Sequence, residues 1–307
     1  MMIERMANGL GLSRAFIEKV ARSASHEYKV YLVPKRTGGF REIHHPSRRL
    51  KALQRWLLEN VLEALPVHTS ATAYRKGQSI LDNANVHVAS RYLLRMDLKE
   101  FFPSITAGDL RSYIVEHPMF FAGWTPSDVD IFCRLVCRNS VLTIGAPSSP
   151  ALSNAVCYEL DVGLSALAAR SGVTYTRYAD DLFFSSGRPG VLRQIEKGVG
   201  NVVAALKLPS NLKINVDKTR HSSKRGARRV TGIVLGSDGR THVGRCFKRK
   251  VRALIHAFDS LDEPARASLA GMIAYATGLD PDFMNSLVQK YGLPRVRKSM
   301  GMPIAGK

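Results

Sequence analysis

The sequence is poor in acidic residues and contains no long apolar segment. Its 307 residues include 25 Asp and Glu against 45 Lys and Arg, which gives a net charge of +20. No apolar run approaches the roughly 18 residues of a membrane-spanning helix. The N-terminal segment carries Glu4, Arg5 and Arg14, so it lacks the apolar core of a secretory signal. These absences argue against membrane-spanning and secreted proteins, and a cytoplasmic location is expected.

Cysteine is also scarce, with four residues in the chain. Cys133 and Cys137 lie close together in the sequence, and no second pair with the spacing of zinc ligands accompanies them. The sequence therefore disfavours a zinc site. Buried free thiols in a reducing compartment are expected instead.

An excess of positive charge this large is typical of a protein that binds a polyanion, most often nucleic acid and less often an anionic membrane. The excess is concentrated between Lys218 and Arg252, where twelve Lys and Arg accompany one acid, Asp238. Such a run is often no more than a solvated surface. A run of one sign can also contact the phosphates of a nucleic-acid backbone. The predicted contacts come from the cations of one amphipathic helix: Arg245, Lys248, Arg249, Lys250 and Arg252.

Hydrophobic periodicity and turn residues predict alternating helices and strands. Strands are predicted over residues 28–33, 40–44, 92–98, 173–178, 182–186 and 212–216. Helices are predicted over 13–22, 50–65, 125–138, 150–172 and 190–206, and from 247 onward. This pattern indicates an α+β protein with an antiparallel sheet at its centre.

Two carboxylate features stand at strand ends. Asp180 and Asp181 fall in a tight connection between two apolar strands, and Asp97 ends another strand. Adjacent carboxylates repel each other and are costly to bury, although a surface turn also accommodates two aspartates. If the sheet brings Asp97 beside the hairpin, three carboxylates converge on a site that suits a pair of Mg²⁺ ions. Such a pair activates a sugar hydroxyl and stabilises a leaving pyrophosphate.

Three co-linear segments resemble the core motifs of reverse transcriptases. They are DLKEFFPSI at 97–105, IGAPSSPALSN at 144–154 and YADD at 178–181, and the resemblance extends over about 35–250. It implies an RNA-directed DNA polymerase with a right-hand fold and an antiparallel-sheet palm. The implied cofactors are two Mg²⁺ ions, and the implied substrates are deoxynucleoside triphosphates.

The resemblance also implies a division into domains. Residues 1–95 are expected to form an N-terminal helix and the fingers, residues 96–235 the palm, and residues 236–307 a helical, basic thumb. The palm is expected to include a helical fingers insertion at about 120–145.

The motif positions assign roles by resemblance. Asp97 and Asp180 are similar to the two metal-binding carboxylates of the family. Asp181 is similar to its third catalytic acid, which is also expected to bind metal. The backbone carbonyl of Leu98 is implied as a further metal ligand.

A second group of residues is implied to bind the nucleotide. Lys35 and Arg41, at a basic, glycine-bearing hairpin tip, are expected to meet the β and γ phosphates. Phe102 takes the place of the steric gate, where an aromatic ring crowds a ribose 2′-hydroxyl. Gly145 and Lys218 complete the implied pocket. A solvated basic turn and a core aromatic are the alternatives for the hairpin tip and for Phe102.

The chain departs from the family at one position in this pocket. Where the family often has glutamine before the glycine of the middle motif, the chain has Ile144, which cannot hydrogen-bond nucleotide or template. Gly145 and the hydroxyls of Ser148 and Ser149 remain available. The pocket is therefore expected to persist. The replacement of glutamine by Ile144 is expected to affect nucleotide affinity and fidelity.

Two shorter motifs resemble those of bacterial retron reverse transcriptases, Asn-Ala-Asn-Val-His at 83–87 and Val-Thr-Gly at 230–232. Each alone also occurs by chance or as a helix cap. The residues implied to contact nucleic acid are Asn83, His87, Val230, Thr231 and Gly232. Retron enzymes extend DNA from the 2′-hydroxyl of a guanosine in a structured noncoding RNA, which gives a branched RNA–DNA hybrid. The resemblance implies that RNA as template, primer and partner, and a phage-defence role alongside an effector protein.

Three other interpretations remain. Another bacterial reverse transcriptase, of the group II intron or diversity-generating type, would carry a maturase tail or a partner gene, and a chain ending at Lys307 leaves little room for the tail. A non-catalytic RNA-binding scaffold has no reason to keep Asp97, Asp180 and Asp181 together against their repulsion. A basic membrane-surface protein does not account for the YADD hairpin.

Overall fold

The computed structural model describes residues 1–34 and 38–302. The helices in this part of the chain are α1 (Met2–Leu10), α2 (Arg14–Ser23), α3 (Arg48–Asn60), α4 (Ile80–Asn85), α5 (Ala107–Glu116), α6 (Pro126–Val136), α7 (Ser149–Val156), α8 (Tyr158–Arg170), α9 (Val191–Ala205), α10 (Arg245–His256), α11 (Glu263–Leu279), α12 (Pro281–Tyr291) and α13 (Leu293–Ser299). The strands are β1 (Tyr28–Pro34), β2 (Phe40–Pro46), β3 (Tyr92–Asp97), β4 (Thr174–Tyr178), β5 (Asp181–Ser186), β6 (Arg220–Ser223), β7 (Arg228–Val230), β8 (Ile233–Leu235) and β9 (Thr241–His242).

The described strands form three sheets. β1 and β2 pair antiparallel, with Val33 opposite Arg41. The second sheet has the strand order β4-β5-β3-β6, and the third, β7-β8-β9, is antiparallel. β4 and β5 are neighbours joined by only Ala179 and Asp180, so they run antiparallel. The predicted hairpin strands on either side of the paired aspartates are thus confirmed.

The chain divides into two compact units. The described residues of the first lie within Met1–Gly77, Leu94–Phe184 and Gly190–Arg220. Those of the second lie within Gln78–Leu93, Ser185–Pro189 and His221–Lys307. The limits of fingers, palm and thumb inferred from the sequence remain a prediction.

The first unit is organised around amphipathic helices. Leu50, Leu53 and Leu57 of α3 are fully buried at the spacing of one helix face, as the sequence predicts. Burying each of these side chains contributes about 1.5–3 kcal/mol. α6 begins at a capping box in which Thr125 and Asp128 bond reciprocally to each other's backbone N–H groups. This confirms the predicted start of α6.

The second unit ends in four helices. Its core contains aliphatic side chains at the spacing of helix faces, among them Val251, Ile255, Leu269, Ile273 and Leu287. No helix within residues 1–34 and 38–302 is long and apolar enough to cross a membrane.

Three predicted elements differ from the structure. The helix predicted over 50–65 ends at Asn60, and a 3-10 segment, Leu62–Ala64, follows it. The helix predicted over 150–172 is divided into α7 and α8, because Cys157 has a ψ of 11°, far from the helical value of about −42°. The strand predicted over 212–216 is reduced to one antiparallel bridge between Leu98 and Ile214. The chain then turns into a 3-10 segment, Val216–Lys218, where the Lys218 N–H donates to the Asn215 carbonyl at 3.1 Å.

The expectation of buried thiols is confirmed for three cysteines and wrong for one. Cys133, Cys137 and Cys157 are buried and unpaired, whereas Cys246 is exposed on α10. Cys246 lies on the solvent-facing side of the amphipathic helix α10. The sequence of this basic segment does not show which side of the helix is packed, so the exposure of Cys246 could not be predicted.

Candidate active site

The end of β3 and the tip of the β4–β5 hairpin are joined by the backbone. The Leu98 N–H donates to the Asp180 carbonyl at 2.8 Å, and the Asn215 N–H donates to the Asp97 carbonyl at 2.8 Å. Asp97 is buried, with 2% of its surface exposed, and Asp180 is half-buried. The structure therefore brings together the two carboxylates that lie 83 residues apart in the sequence.

The hairpin tip has an unusual backbone conformation. Ala179 has a φ of +56°, in the left-handed region that a residue with a Cβ seldom adopts. Such a conformation costs about 1–3 kcal/mol and persists where the surroundings fix it. The Arg177 guanidinium donates to the Ala179 carbonyl at 3.3 Å, and this hydrogen bond supports the turn.

Arg177 belongs to a fully buried ion pair. Its Nε and Nη2 donate to Asp161 of α8 at 2.6–3.1 Å, and neither side chain is exposed. The Tyr175 hydroxyl donates to the same carboxylate at 2.8 Å. The Arg177 guanidinium also lies 5.9 Å from the centroid of the Phe101 ring. This network connects the hairpin to α8 and to the loop after β3.

The carboxylates of the site repel one another. Burial, and after it the neighbouring Asp97, raises the pKa of Asp180. Burial raises the pKa of Asp181 to about 6, and Asp180 and Asp97 add to the shift while Arg95 opposes it. The repulsion that the sequence suggests is thus present in the folded chain.

Two cations lie against these carboxylates. The Lys218 ammonium is 2.9 and 2.8 Å from the two oxygens of Asp97. Nε and Nη2 of Arg95 donate to Asp181 at 2.8–3.0 Å. Sequence reasoning placed Lys218 near the site but missed Arg95. The available signal was its position two residues before Asp97 in the same strand, which puts both side chains on one face.

The residues of the site suit a divalent cation. Within the described chain, no group of three His, Cys, Asp or Glu side chains is arranged to hold a metal ion, and the Asp181 carboxylate is engaged by Arg95. Asp97 and Asp180 nevertheless supply the oxygen ligands that Mg²⁺ prefers. The Lys218 ammonium pairs with Asp97, so this carboxylate already binds a cation in the structure. The donor set therefore fits a metal held by Asp97 and Asp180.

Replacing Asp181 with asparagine is expected to stabilise the metal-free protein at pH 7 but not near pH 4. The folded-state pKa of about 6 lies above the unfolded value of about 3.9. Such a carboxyl favours folding while it is protonated, and this contribution is lost as the pH rises through about 6. The pKa difference corresponds to at most about 3 kcal/mol. Thermal unfolding between pH 4 and 8 measures it, and a gain in stability that does not vary with pH would contradict it.

Aromatic residues line the loop after β3. The half-buried Phe102 ring lies 5.4 Å from the Phe101 ring and 6.4 Å from the Tyr74 ring, centroid to centroid. Tyr74 is 51% exposed, with a φ of +61°. Partial burial, and then the Asp180 carboxylate, raises the pKa of Tyr74, so its hydroxyl lies within electrostatic reach of the hairpin tip. Tyr74 is a second residue that sequence reasoning missed, since nothing in its local pattern marks it.

The segment that contains Gly145 is joined to β2. The His44 N–H donates to the Ile144 carbonyl at 2.8 Å. Gly145 has a φ of +108°, and a Cβ at this position would lie 2.5 Å from the His44 carbonyl oxygen. Glycine is therefore required here by both conformation and space.

The phosphate-binding residues implied by the sequence are only partly described. Arg41 of β2 is exposed, and its charge lowers the pKa of Asp180, so it lies within electrostatic reach of the hairpin tip. Lys35 lies outside the described residues.

The two short motifs meet in the second unit. α4 packs against β7 and β8, and the Thr231 hydroxyl donates to the Ile80 carbonyl at 3.2 Å. Thr231 and Gly232 have positive φ values of 48° and 89°, which form the turn after β7. The motif segments thus form one local structure.

Three of the motif side chains are buried. Asn83, His87 and Val230 have no exposed surface. Nδ1 of His87 lies 2.8 Å from the Ser185 hydroxyl, and burial lowers the pKa of His87 to about 4. Direct contact of these side chains with RNA stays a prediction. Their burial shows that they pack inside the local structure formed by the two motifs.

The basic helix α10 presents its cations in two directions, and their predicted contact with a nucleic-acid backbone stays a prediction. Lys248 lies 2.7 Å from the buried carboxylate of Asp280, and Arg252 lies over the Phe283 ring. Helix periodicity places these two side chains on the packed side of α10. The cations on its exposed side are Arg245, Arg249 and Lys250.

Comparison with known proteins agrees with the motif analysis. A family model described as "Reverse transcriptase (RNA-dependent DNA polymerase)" matches residues 33–235. The chain is 36% identical to the retron Ec83 reverse transcriptase of Escherichia coli, over 89% of each protein. It is 35% identical to the retron Mx65 reverse transcriptase of Myxococcus xanthus, over 94% of this chain and 70% of the relative.

A solved structure resembles the fold. Candida albicans telomerase, determined with a fragment of telomeric RNA, matches 95% of this chain and 59% of its own, with a TM-score of 0.52 and 11% identity. At this identity the likeness concerns the fold alone.

Proposed function

Because the chain belongs to the retron reverse transcriptases and is an RNA-directed DNA polymerase, we propose that it copies part of a structured noncoding RNA into DNA from a 2′-hydroxyl of that RNA. The product is then a branched RNA–DNA hybrid. The same proposal places the enzyme in the cytoplasm with its RNA and with an effector protein, in defence against phage.

The observation that carries the catalytic part of this proposal is the hydrogen bond from the Leu98 N–H to the Asp180 carbonyl. It fixes the end of β3 beside the hairpin tip, so Asp97 and Asp180 can serve the same reacting group. Asp97, Asp180 and the Leu98 carbonyl would hold Mg²⁺, with Asp181 as the third acid. Bound there, Mg²⁺ would stabilise the negative charge on the attacking hydroxyl and on the leaving pyrophosphate.

The remaining residues of the site bind and orient the triphosphate. Arg41 and Lys218 both lie within electrostatic reach of Asp180 and are exposed, so they can pair with phosphate oxygens as charge-assisted donors. The Phe102 and Tyr74 rings lie 6.4 Å apart, centroid to centroid, and Tyr74 is within electrostatic reach of Asp180. These rings would lie against the sugar and leave no room for a ribose 2′-hydroxyl.

The choice of RNA would depend on the second unit. The motif segments α4 and β7 pack together, and Arg245, Arg249 and Lys250 add exposed charge for phosphate contacts. Structured RNA is recognised largely by shape and backbone contacts. This unit is therefore the proposed site of selection for the cognate RNA.

Isolation of nucleic acid with the protein tests this function. Protein expressed from its native locus should carry one predominant noncoding RNA joined covalently to a short DNA. RNase should reduce the hybrid to DNA with a small RNA remnant, and a debranching enzyme should separate the two strands. Unbranched DNA started from an ordinary 3′-hydroxyl would overturn the proposed priming and leave the polymerase activity standing.

Replacing Phe102 with alanine is expected to admit ribonucleotides, because loss of the ring opens space for the 2′-hydroxyl. The ratio of deoxyribonucleotide to ribonucleotide incorporation should fall about tenfold, which corresponds to about 1.4 kcal/mol of lost discrimination. Primer extension with each nucleotide class measures it. Phe120, another half-buried phenylalanine, provides the matched control, Phe120→Ala. An unchanged ratio in Phe102→Ala would assign this ring to packing only.

A further inference from the structure

The third carboxylate of the site has a partner that the implied mechanism does not use. Asp181 begins β5, and Arg95 lies in β3, the neighbouring strand. Nε and Nη2 of Arg95 donate to Oδ1 of Asp181 at 3.0 and 2.8 Å, and Nη2 also donates to Oδ2 at 3.0 Å. A guanidinium that contacts both oxygens fixes the orientation of a carboxylate as well as its charge.

The strand geometry explains why Arg95 reaches Asp181. Arg95 and Asp97 are two residues apart in β3, so their side chains leave the strand on the same face. The Asp181 side chain is 17% exposed, and that of Arg95 is 45% exposed. The ion pair is therefore formed at the edge of the site, where one partner is largely withdrawn from water.

The three carboxylates are neutralised unequally. Asp97 is paired with Lys218 and Asp181 with Arg95, whereas no ion pair to Asp180 occurs in the described residues. Lys218 carries a single ammonium on an exposed side chain, which a divalent ion can displace. Arg95 holds Asp181 from within a strand by a planar, two-pronged contact, which is harder to exchange.

We propose that Arg95 is a positioning residue that competes with the divalent ion for the Asp181 carboxylate. Arg95 thereby sets the metal concentration at which Asp181 joins Asp97 and Asp180. This inference rests on the proposed function of the site. A ligand shifts an equilibrium only by its difference in affinity for the two states. The free energy needed to break the Arg95–Asp181 pair is therefore subtracted from metal binding.

Removal of the competitor should tighten metal binding. Arg95→Gln is expected to lower the Mn²⁺ concentration for half-saturation about tenfold, a change consistent with the loss of hydrogen bonds to a charged group. Arg95→Lys should give an intermediate value, because a single ammonium cannot reproduce the two-pronged contact.

Mn²⁺ titration followed by electron paramagnetic resonance tests the inference on folded protein without nucleotide, RNA or turnover. Removing a positive charge attracts a cation by itself, so Lys99→Gln serves as the charge control. Lys99 is exposed and lies two residues after Asp97. The effect of Arg95→Gln should exceed that of Lys99→Gln in the unsubstituted background. In an Asp181→Asn background the two effects should become equal.

Two results would overturn the inference. One is an unchanged Mn²⁺ affinity in Arg95→Gln. The other is an effect of Arg95→Gln on Mn²⁺ affinity that is as large in the Asp181→Asn background as in the unsubstituted background. Primer extension by the unsubstituted protein distinguishes failure of this inference from failure of the proposed function. Normal extension together with either result refutes the role of Arg95 alone. Absence of extension refutes the polymerase assignment of the site, and the titration still decides whether Arg95 competes for Asp181.

Discussion

Replacing Asp180 with asparagine is expected to lower the rate of DNA synthesis by about 10³-fold and to leave RNA binding intact. Loss of a metal-binding carboxylate removes several kcal/mol of stabilisation from the charged transition state, and each 1.36 kcal/mol corresponds to about tenfold in rate. Because burial and Asp97 raise the pKa of Asp180, a neutral side chain should not destabilise the fold. Primer extension on an annealed RNA template and RNA binding measure the two effects separately.

The control for this substitution is Asp217→Asn. Asp217 is an exposed carboxylate next to Lys218 in the sequence, so its loss changes the net charge by the same amount. It should retain nearly full activity. Near-normal extension by the Asp180→Asn protein would contradict the assignment of Asp180 to the metal site.

Replacing Arg177 with methionine is expected to destabilise the protein by about 3–5 kcal/mol, because it leaves Asp161 buried without its partner. Arg177 and Asp161 have no exposed surface, and Asp161 then keeps only the Tyr175 hydroxyl among the contacts described above. Urea unfolding gives the change in free energy. As a control, Arg111→Met removes one partner of an exposed pair with Asp130 and should cost under about 1 kcal/mol.

The double substitution Asp161→Leu with Arg177→Met separates folding from function. Replacing both members of a buried pair with apolar residues often restores stability. Polymerase activity should remain low, because the Ala179 carbonyl still lacks the donor that supports its left-handed conformation. Recovery of activity in parallel with stability would show that Arg177 contributes to folding only.

Much of the fold could be predicted from local patterns. The spacing of Leu50, Leu53 and Leu57 predicted the buried face of α3, and Thr125 with Asp128 predicted the start of α6. The tight connection through Asp180 predicted the hairpin, since two residues allow only an antiparallel turn. The predicted reverse transcriptase family is confirmed by the family model and the relatives, and the predicted polymerase fold is confirmed by the telomerase structure.

The features that could not be predicted depend on contacts distant in sequence. The strand expected at 212–216 has suitable residues, but its backbone is used for one bridge to Leu98 and for the turn that brings Lys218 to Asp97. The pairing of Arg95 with Asp181 depends on which strands are neighbours, which periodicity does not specify. Burial of His87 likewise follows from packing in the second unit rather than from its motif.

The proposed priming chemistry can be tested with one defined RNA. Once the branched guanosine has been mapped in the product isolated with the protein, the same RNA is synthesised with a 2′-deoxy group at that nucleotide alone. The unsubstituted enzyme should extend the all-ribose RNA and give no DNA from the 2′-deoxy RNA, while both RNAs bind equally and both templates are copied from an annealed DNA primer. Equal DNA synthesis from the two RNAs without an added primer would contradict the account.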